Sequence, residues 1–103
     1  THERIAAVNP VINAVVTLNE RADAEAQAVD DALARGEAPG ALCGLPVGIK
    51  DVTPVAGVRT TFGSPLFVHH VPARDAAVVT RLRAAGAVIV GKTNCPEFAA
   101  GAN

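Results

Sequence analysis

The chain has 103 residues, half of them hydrophobic, but that half is mostly small: 21 Ala and 15 Val against 6 Leu, 4 Ile and 3 Phe. This is enough for one modest core, so a single domain is the ceiling and a piece of a larger domain is an open alternative. Nine basic and ten acidic residues with 3% aromatics leave no footprint for nucleic acid, no apolar run approaches the length of a membrane-spanning helix, and two cysteines cannot build a disulfide framework or a four-ligand zinc site.

The first residues, Thr1-His2-Glu3-Arg4, are polar and no apolar stretch follows them. They do not read as a secretory signal, and a cytoplasmic location is the expectation. Pro10 is expected to stop any helix before it, because the residue preceding a proline is pushed out of the helical region. Val11 to Leu18 is apolar and β-branched and reads as a short strand or an extended connector. Residues 20–35 form the clearest helix. Alanine dominates, acidic residues crowd the first turns, Arg35 sits in the last turn, and Gly36 follows as the stop. Its apolar face (Ala22, Ala26, Val29, Leu33) is thin, which suits a surface position.

Residues 36–43 read as a linker. Leu45-Pro46-Val47-Gly48-Ile49 then reads as a short buried strand ending at Lys50-Asp51. The stretch 52–74 carries Pro54, Gly57, Gly63 and Pro65 and reads as a long structured loop, a kind of loop more often functional than idle. Asp75 is expected to cap a helix over 76–85, with Val78, Val79 and Leu82 on one face and Gly86 as its stop. Ala87 to Val90 is a continuous apolar strand, expected to end at Gly91-Lys92-Thr93-Asn94. Strand, crossover, helix and strand argue a parallel βαβ unit. No internal repeat or low-complexity tract is present.

Only two lysines exist, Lys50 and Lys92, and each stands at the carboxyl end of an expected parallel strand. That edge is where open α/β sheets bind ligands. A lysine beside a buried strand loses water, its pKa falls, and it becomes a usable base. Lys50 is the stronger candidate because no polar side chain precedes it in its strand, although a surface cation ending a strand is the plainer reading of both. Asp51 need not pair with Lys50, since adjacent strand residues point to opposite faces, and it reads as a cap for the following turn. Gly91-Lys92-Thr93 resembles the end of a phosphate loop, but the residues before it are the apolar strand itself, which cannot cradle a phosphate. His69-His70 is a loop pair without metal-ligand spacing. Cys43 and Cys95 lack a nearby histidine and read as reduced, partly buried thiols. Ser64 is in no nucleophile elbow.

The run from Gly44 to Gly101 resembles the amidase signature family. Gly44-Leu45-Pro46-Val47-Gly48-Ile49-Lys50-Asp51 is similar to that family's first block, and Thr60-Thr61-Phe62-Gly63-Ser64-Pro65 to its Thr-Thr-x-Gly-Ser segment. Asp75-Ala76, Leu82, Ala84 to Ala87, Gly91-Lys92-Thr93-Asn94 and Pro96-Glu97-Phe98-Ala99 continue in order. Asn9-Pro10, Asn13-Ala14 and the Ala-rich helix resemble its N-terminal arm. The resemblance implies the N-terminal part of an α/β/α sheet fold containing the parallel βαβ unit, with 1–43 as helical arm and linker and 44–103 as the unit bearing the lysine block.

For chemistry, the resemblance implies a Ser-Ser-Lys amide hydrolase that needs no metal or other cofactor. Lys50 corresponds to the catalytic lysine, which draws a proton from the nucleophilic serine through a bridging serine. Both serines belong to downstream segments that this chain does not contain, so the expectation is an N-terminal fragment that is inactive alone and, with strand edges and apolar faces uncovered, aggregates, self-associates or stays molten. Partners are expected to be a small-molecule amide substrate in the full-length enzyme, no nucleic acid and no membrane, with a homodimer allowed. Two alternatives stand beside a free-standing amidase. One is the A-subunit of a glutamine-dependent amidotransferase, which usually shows Ala-Ser at Gly63-Ser64 and Met-Asp-Glu-Phe-Ala-Met-Gly at residues 95–101. The other is a non-enzymatic half-fold serving as an interaction module.

Overall fold

The computed structural model describes residues 1–101. In chain order the elements are α1 (His2–Ile12), β1 (Val15–Leu18), α2 (Ala22–Ala34), β2 (Pro46–Lys50), α3 (Ala77–Ala84) and β3 (Val88–Thr93), with 3-10 turns at Pro65–Phe67 and Glu97–Ala99. The three strands make one sheet in the order β1-β3-β2. β2 runs parallel to β3, and β1 runs antiparallel to it. The βαβ unit expected from the pattern is therefore present. The arm contributes more than helix, since β1 belongs to the same sheet.

Pro10 does not stop the first helix. It lies inside α1, which runs on to Ile12 and ends at Asn13 in the left-handed region (φ 46°). The proline ring removes one backbone donor, and local bonds hold the turn regardless. Asn13 N–H donates to Asn9 O at 2.7 Å, while the Asn9 side chain both accepts from and donates to the Val15 backbone at 2.8 Å. Val11 and Ile12 are consequently helical, and the strand begins at Val15.

α2 forms where alanine content and charge order place it, and it lies against β3 with Ala22 buried. α3 departs from expectation in two ways. Asp75 is not its cap: Ala76 holds that position in extended conformation. The Asp75 carboxylate instead accepts Ala56 N–H at 2.7 Å and Arg83 Nε at 3.0 Å. The core-facing stripe runs from the cap residue Ala76 through Val79 to Leu82, with Val79 buried and the other two partly so, and Val78 is turned out, 53% exposed. The reason is the partner surface. Val55 and Val58, bridged to each other within the long loop, pack with Ile49, Ile89 and that stripe to form the core. Residues 52–74 are thus part of the packing rather than a strap over it.

β3 is the central strand and is buried along most of its length. It continues through Gly91 and Lys92 and ends at Thr93, within the tetrapeptide expected to close it, because β1 and β2 pair with those residues from both sides. Gly91 is required there: a side chain would collide with the Thr17 carbonyl oxygen of β1. β2, read from sequence as buried, is an edge strand in which only Ile49 is buried and Pro46, Gly48 and Lys50 are exposed. Leu45, just before it, is half exposed. Among the described residues, no helix is long and apolar enough to cross a membrane.

Candidate active site

The parallel register aligns Ile49 with Lys92 and Lys50 with Thr93. Both lysines therefore stand at the carboxyl end of the same strand pair, as the spacing implied, but their surroundings are opposite.

Lys92 is fully buried. Its Nζ donates to the Thr53 carbonyl oxygen at 2.7 Å and to Thr60 Oγ1 at 2.8 Å. The third partner is the Asp51 carboxylate, with Oδ1 at 3.4 Å. An ammonium group has three protons, and here three acceptors surround it. Burial strips the ammonium of water and lowers its pKa from the ordinary 10.5, and the Asp51 charge, its hydrogen bond and Cys95 oppose that shift.

Asp51 is 1% exposed. It does more than cap a turn. Besides Lys92 it accepts Thr61 N–H at 3.2 Å and a short hydrogen bond from the Thr61 hydroxyl. Thr60 in turn donates its hydroxyl to Val58 O at 3.1 Å. Alternation along β2 explains the arrangement: Asp51 follows Lys50 and points to the other side, into the protein. A buried ion pair tying the strand ends to the loop is the feature that sequence reasoning missed. The available signal was a single acid beside one of only two lysines, with the Thr60-Thr61 pair downstream.

Lys50 is exposed. It lines an open cleft of about 620 Å³ together with Asn13, Thr93, Asn94, Cys95 and Pro96. Its amine has no hydrogen-bond or ion-pair partner among the described residues. The expectation that Lys50 is the desolvated lysine is not met in this chain, because β2 lies at the sheet edge and leaves its last residue facing the cleft. Burial falls on Lys92, whose strand is flanked on both sides. The Lys92 amine is wholly engaged with buried acceptors, whereas the Lys50 amine faces the open cleft, where another group can reach it.

The remaining candidates are dispersed. Cys95 is buried at the cleft and Cys43 half-buried, and both are free thiols. His70 stacks on Phe62 in an aromatic cluster with Phe67 and Phe98. Ser64 is buried and caps the first 3-10 turn by accepting Leu66 N–H at 3.3 Å. Gly63 beside it has φ 69°, and a side chain there would press on the Pro96 carbonyl oxygen at 2.8 Å. Gly91, Lys92 and Thr93 all lie within β3 and form no phosphate cradle. Among the described residues no group of three or more His, Cys, Asp or Glu is arranged to hold a metal.

A parallel strand pair with two lysines at its carboxyl edge, one of them held by a buried acid and a threonine-rich loop, defines an α/β segment with a candidate site. The chain matches the Amidase family over residues 1–103 and belongs to it. It is 48% identical over 104 residues to the A-subunit of glutamyl-tRNA(Gln) amidotransferase from Carboxydothermus hydrogenoformans, covering all of this chain and 21% of that protein. It is 50% identical to the same protein of a Roseiflexus species, covering 97% of this chain and 20% of that protein. Among solved structures, the native peptide amidase of Stenotrophomonas maltophilia superposes with a TM-score of 0.90 at 40% identity, over 94% of this chain and 20% of that one. The glutamyl-tRNA(Gln) amidotransferase A-subunit of Thermotoga maritima superposes with a TM-score of 0.72 at 30% identity, over 97% of this chain and 20% of that one. The chain spans about a fifth of the length of the curated relatives it matches.

Proposed function

We infer that this segment is the lysine-bearing part of an amide hydrolase, with Lys50 as the base of a Ser-Ser-Lys triad. The observation that carries the reading is the contrast between the lysines: Lys50 stands in a cleft at the carboxyl end of β2 with no partner among the described residues, while the other lysine is wholly engaged. By resemblance to the family, the neutral Lys50 amine takes a proton from a bridging serine as that serine takes one from the nucleophile. The nucleophile's oxygen forms a bond to the amide carbon, the carbon–nitrogen bond breaks, and the proton goes to the leaving amine. Both serines belong to segments of the full-length protein beyond these residues, so the segment by itself is expected to hydrolyse no amide.

The test is made in the full-length protein that carries this segment. Lys50→Ala is expected to lower amide turnover by several orders of magnitude with the unfolding midpoint unchanged. Retained turnover, or loss of the fold, contradicts the reading.

The substrate class has two readings. A free-standing amidase acting on small carboxamides is favoured by Gly63-Ser64 and by Cys95-Pro96-Glu97-Phe98-Ala99-Ala100-Gly101, and by the closer superposition on the peptide amidase. A component of a glutamine-dependent amidotransferase is favoured by the curated relatives, at 45–50% identity. Such a component works with partners and releases ammonia from glutamine. Hydrolysis of simple carboxamides by the purified protein without partners supports the first, and glutamine-specific ammonia release that appears only with partner proteins supports the second.

A further inference from the structure

We propose that Asp51 and Lys92 are positioning residues: their buried ion pair fixes the end of β2 so that the Lys50 amine keeps its place in the cleft. The inference rests on the reading of Lys50 as the base. Its starting point is a mechanical problem. Lys50 is the last residue of an edge strand, held by β3 on one side only. Strand ends of this kind open locally, and a base displaced by about 1 Å loses about a hundredfold in rate.

The residue directly after Lys50 is the most heavily anchored in the region. Asp51 N–H donates to Thr93 O at 2.9 Å, and Asp51 O accepts Phe62 N–H at 2.8 Å. Its carboxylate takes the Thr61 backbone and hydroxyl on one side and the Lys92 ammonium on the other. Lys50 O itself accepts Thr53 N–H at 2.9 Å, and the Thr53 carbonyl oxygen is the nearest acceptor of Lys92. The backbone on both sides of Lys50 therefore leads to one buried cluster built from β2, β3 and the 52–74 loop. Because Asp51 points inward, the outward direction of Lys50 follows. Neither side chain lines the cleft, and the pair reaches it through the backbone of Lys50 and Thr93.

The experiment compares kcat and KM of the full-length protein with Lys50→Ala, Asp51→Asn, Lys92→Met and the double variant Asp51→Asn/Lys92→Met, each assayed below its unfolding midpoint. Either single substitution is expected to lower kcat about a hundredfold with KM within about threefold of wild type. The double variant is expected to lose no more than the worse single one, because both residues act through one contact. Added to Lys50→Ala, neither substitution is expected to lower the residual rate further, which a merely structural role would do. Should a single variant fail to fold, the double variant, which leaves no unpaired buried charge, carries the same comparison. Wild-type kcat in a folded pair variant, or a further fall in the Lys50→Ala background, overturns the proposal. Wild-type turnover in Lys50→Ala overturns instead the assignment of the base.

Discussion

Lys50 and Lys92 occupy neighbouring places at one end of one sheet, yet the first is exposed on an edge strand and the second is sealed within the central strand. Register brings them together, and flanking strands set them apart. β3 has a neighbour on each side, so its side chains meet protein, and a lysine there survives only by finding acceptors for every proton. β2 has a neighbour on one side, so its last side chain stays available. Burial and engagement separate the two amines: Lys92 is enclosed by acceptors, while Lys50 has none among the described residues.

The same substitution at the two positions should break the comparison most sharply. Lys92→Met leaves the Asp51 carboxylate buried without its counter-charge, and a loss of about 3–5 kcal/mol of stability is expected. Lys50→Met removes an exposed amine and should stay within about 0.5 kcal/mol of wild type. Chemical denaturation of the full-length protein measures both, and equal effects would erase the distinction. A smaller loss, about 1–3 kcal/mol, is expected for Thr60→Val, which withdraws one of the three acceptors from Lys92 without removing a charge. An unchanged denaturation midpoint for that variant would mean that the threonine hydroxyl contributes nothing to holding the ammonium.

The pH dependence sharpens the contrast further. The folded-state pKa of Lys92 lies below its unfolded value of 10.5. Between those two values the unfolded chain binds more protons than the folded one, so stability rises with pH in that window and is level below it. Relative to Lys92→Met, wild-type stability should therefore climb as pH approaches 10.5. A difference that is flat or falling across that range contradicts the assignment of a desolvated Lys92.

Much of the fold was legible because local signals agreed. The Ala-rich helix with its glycine stop, the parallel unit and the long loop all appear where composition and spacing put them. The failures share a cause, which is that contacts distant in sequence decided the outcome. Pro10 stays helical because Asn9 grips Val15. Asp75 is drawn from its cap by Ala56 and Arg83. Val78 is exposed because the loop valines meet the other stripe of α3. At the site, the two lysines and their strand ends were legible. Their division of roles was not, since no local pattern states which strand lies at the edge. Asp51 read as a turn cap, because its burial and its partner depend on the register between β2 and β3 and on the loop that folds over it.

The most direct measurement is an experimental structure of the full-length protein that carries this segment, resolving both amines. The expected result places Lys50 Nζ within hydrogen-bond reach, about 2.6–3.2 Å, of a serine hydroxyl supplied by a later segment, with Lys92 Nζ still held by Thr53, Thr60 and Asp51. A Lys50 amine directed into solvent with no hydroxyl in reach, or a Lys92 amine turned from its three acceptors toward such a serine, would contradict the account.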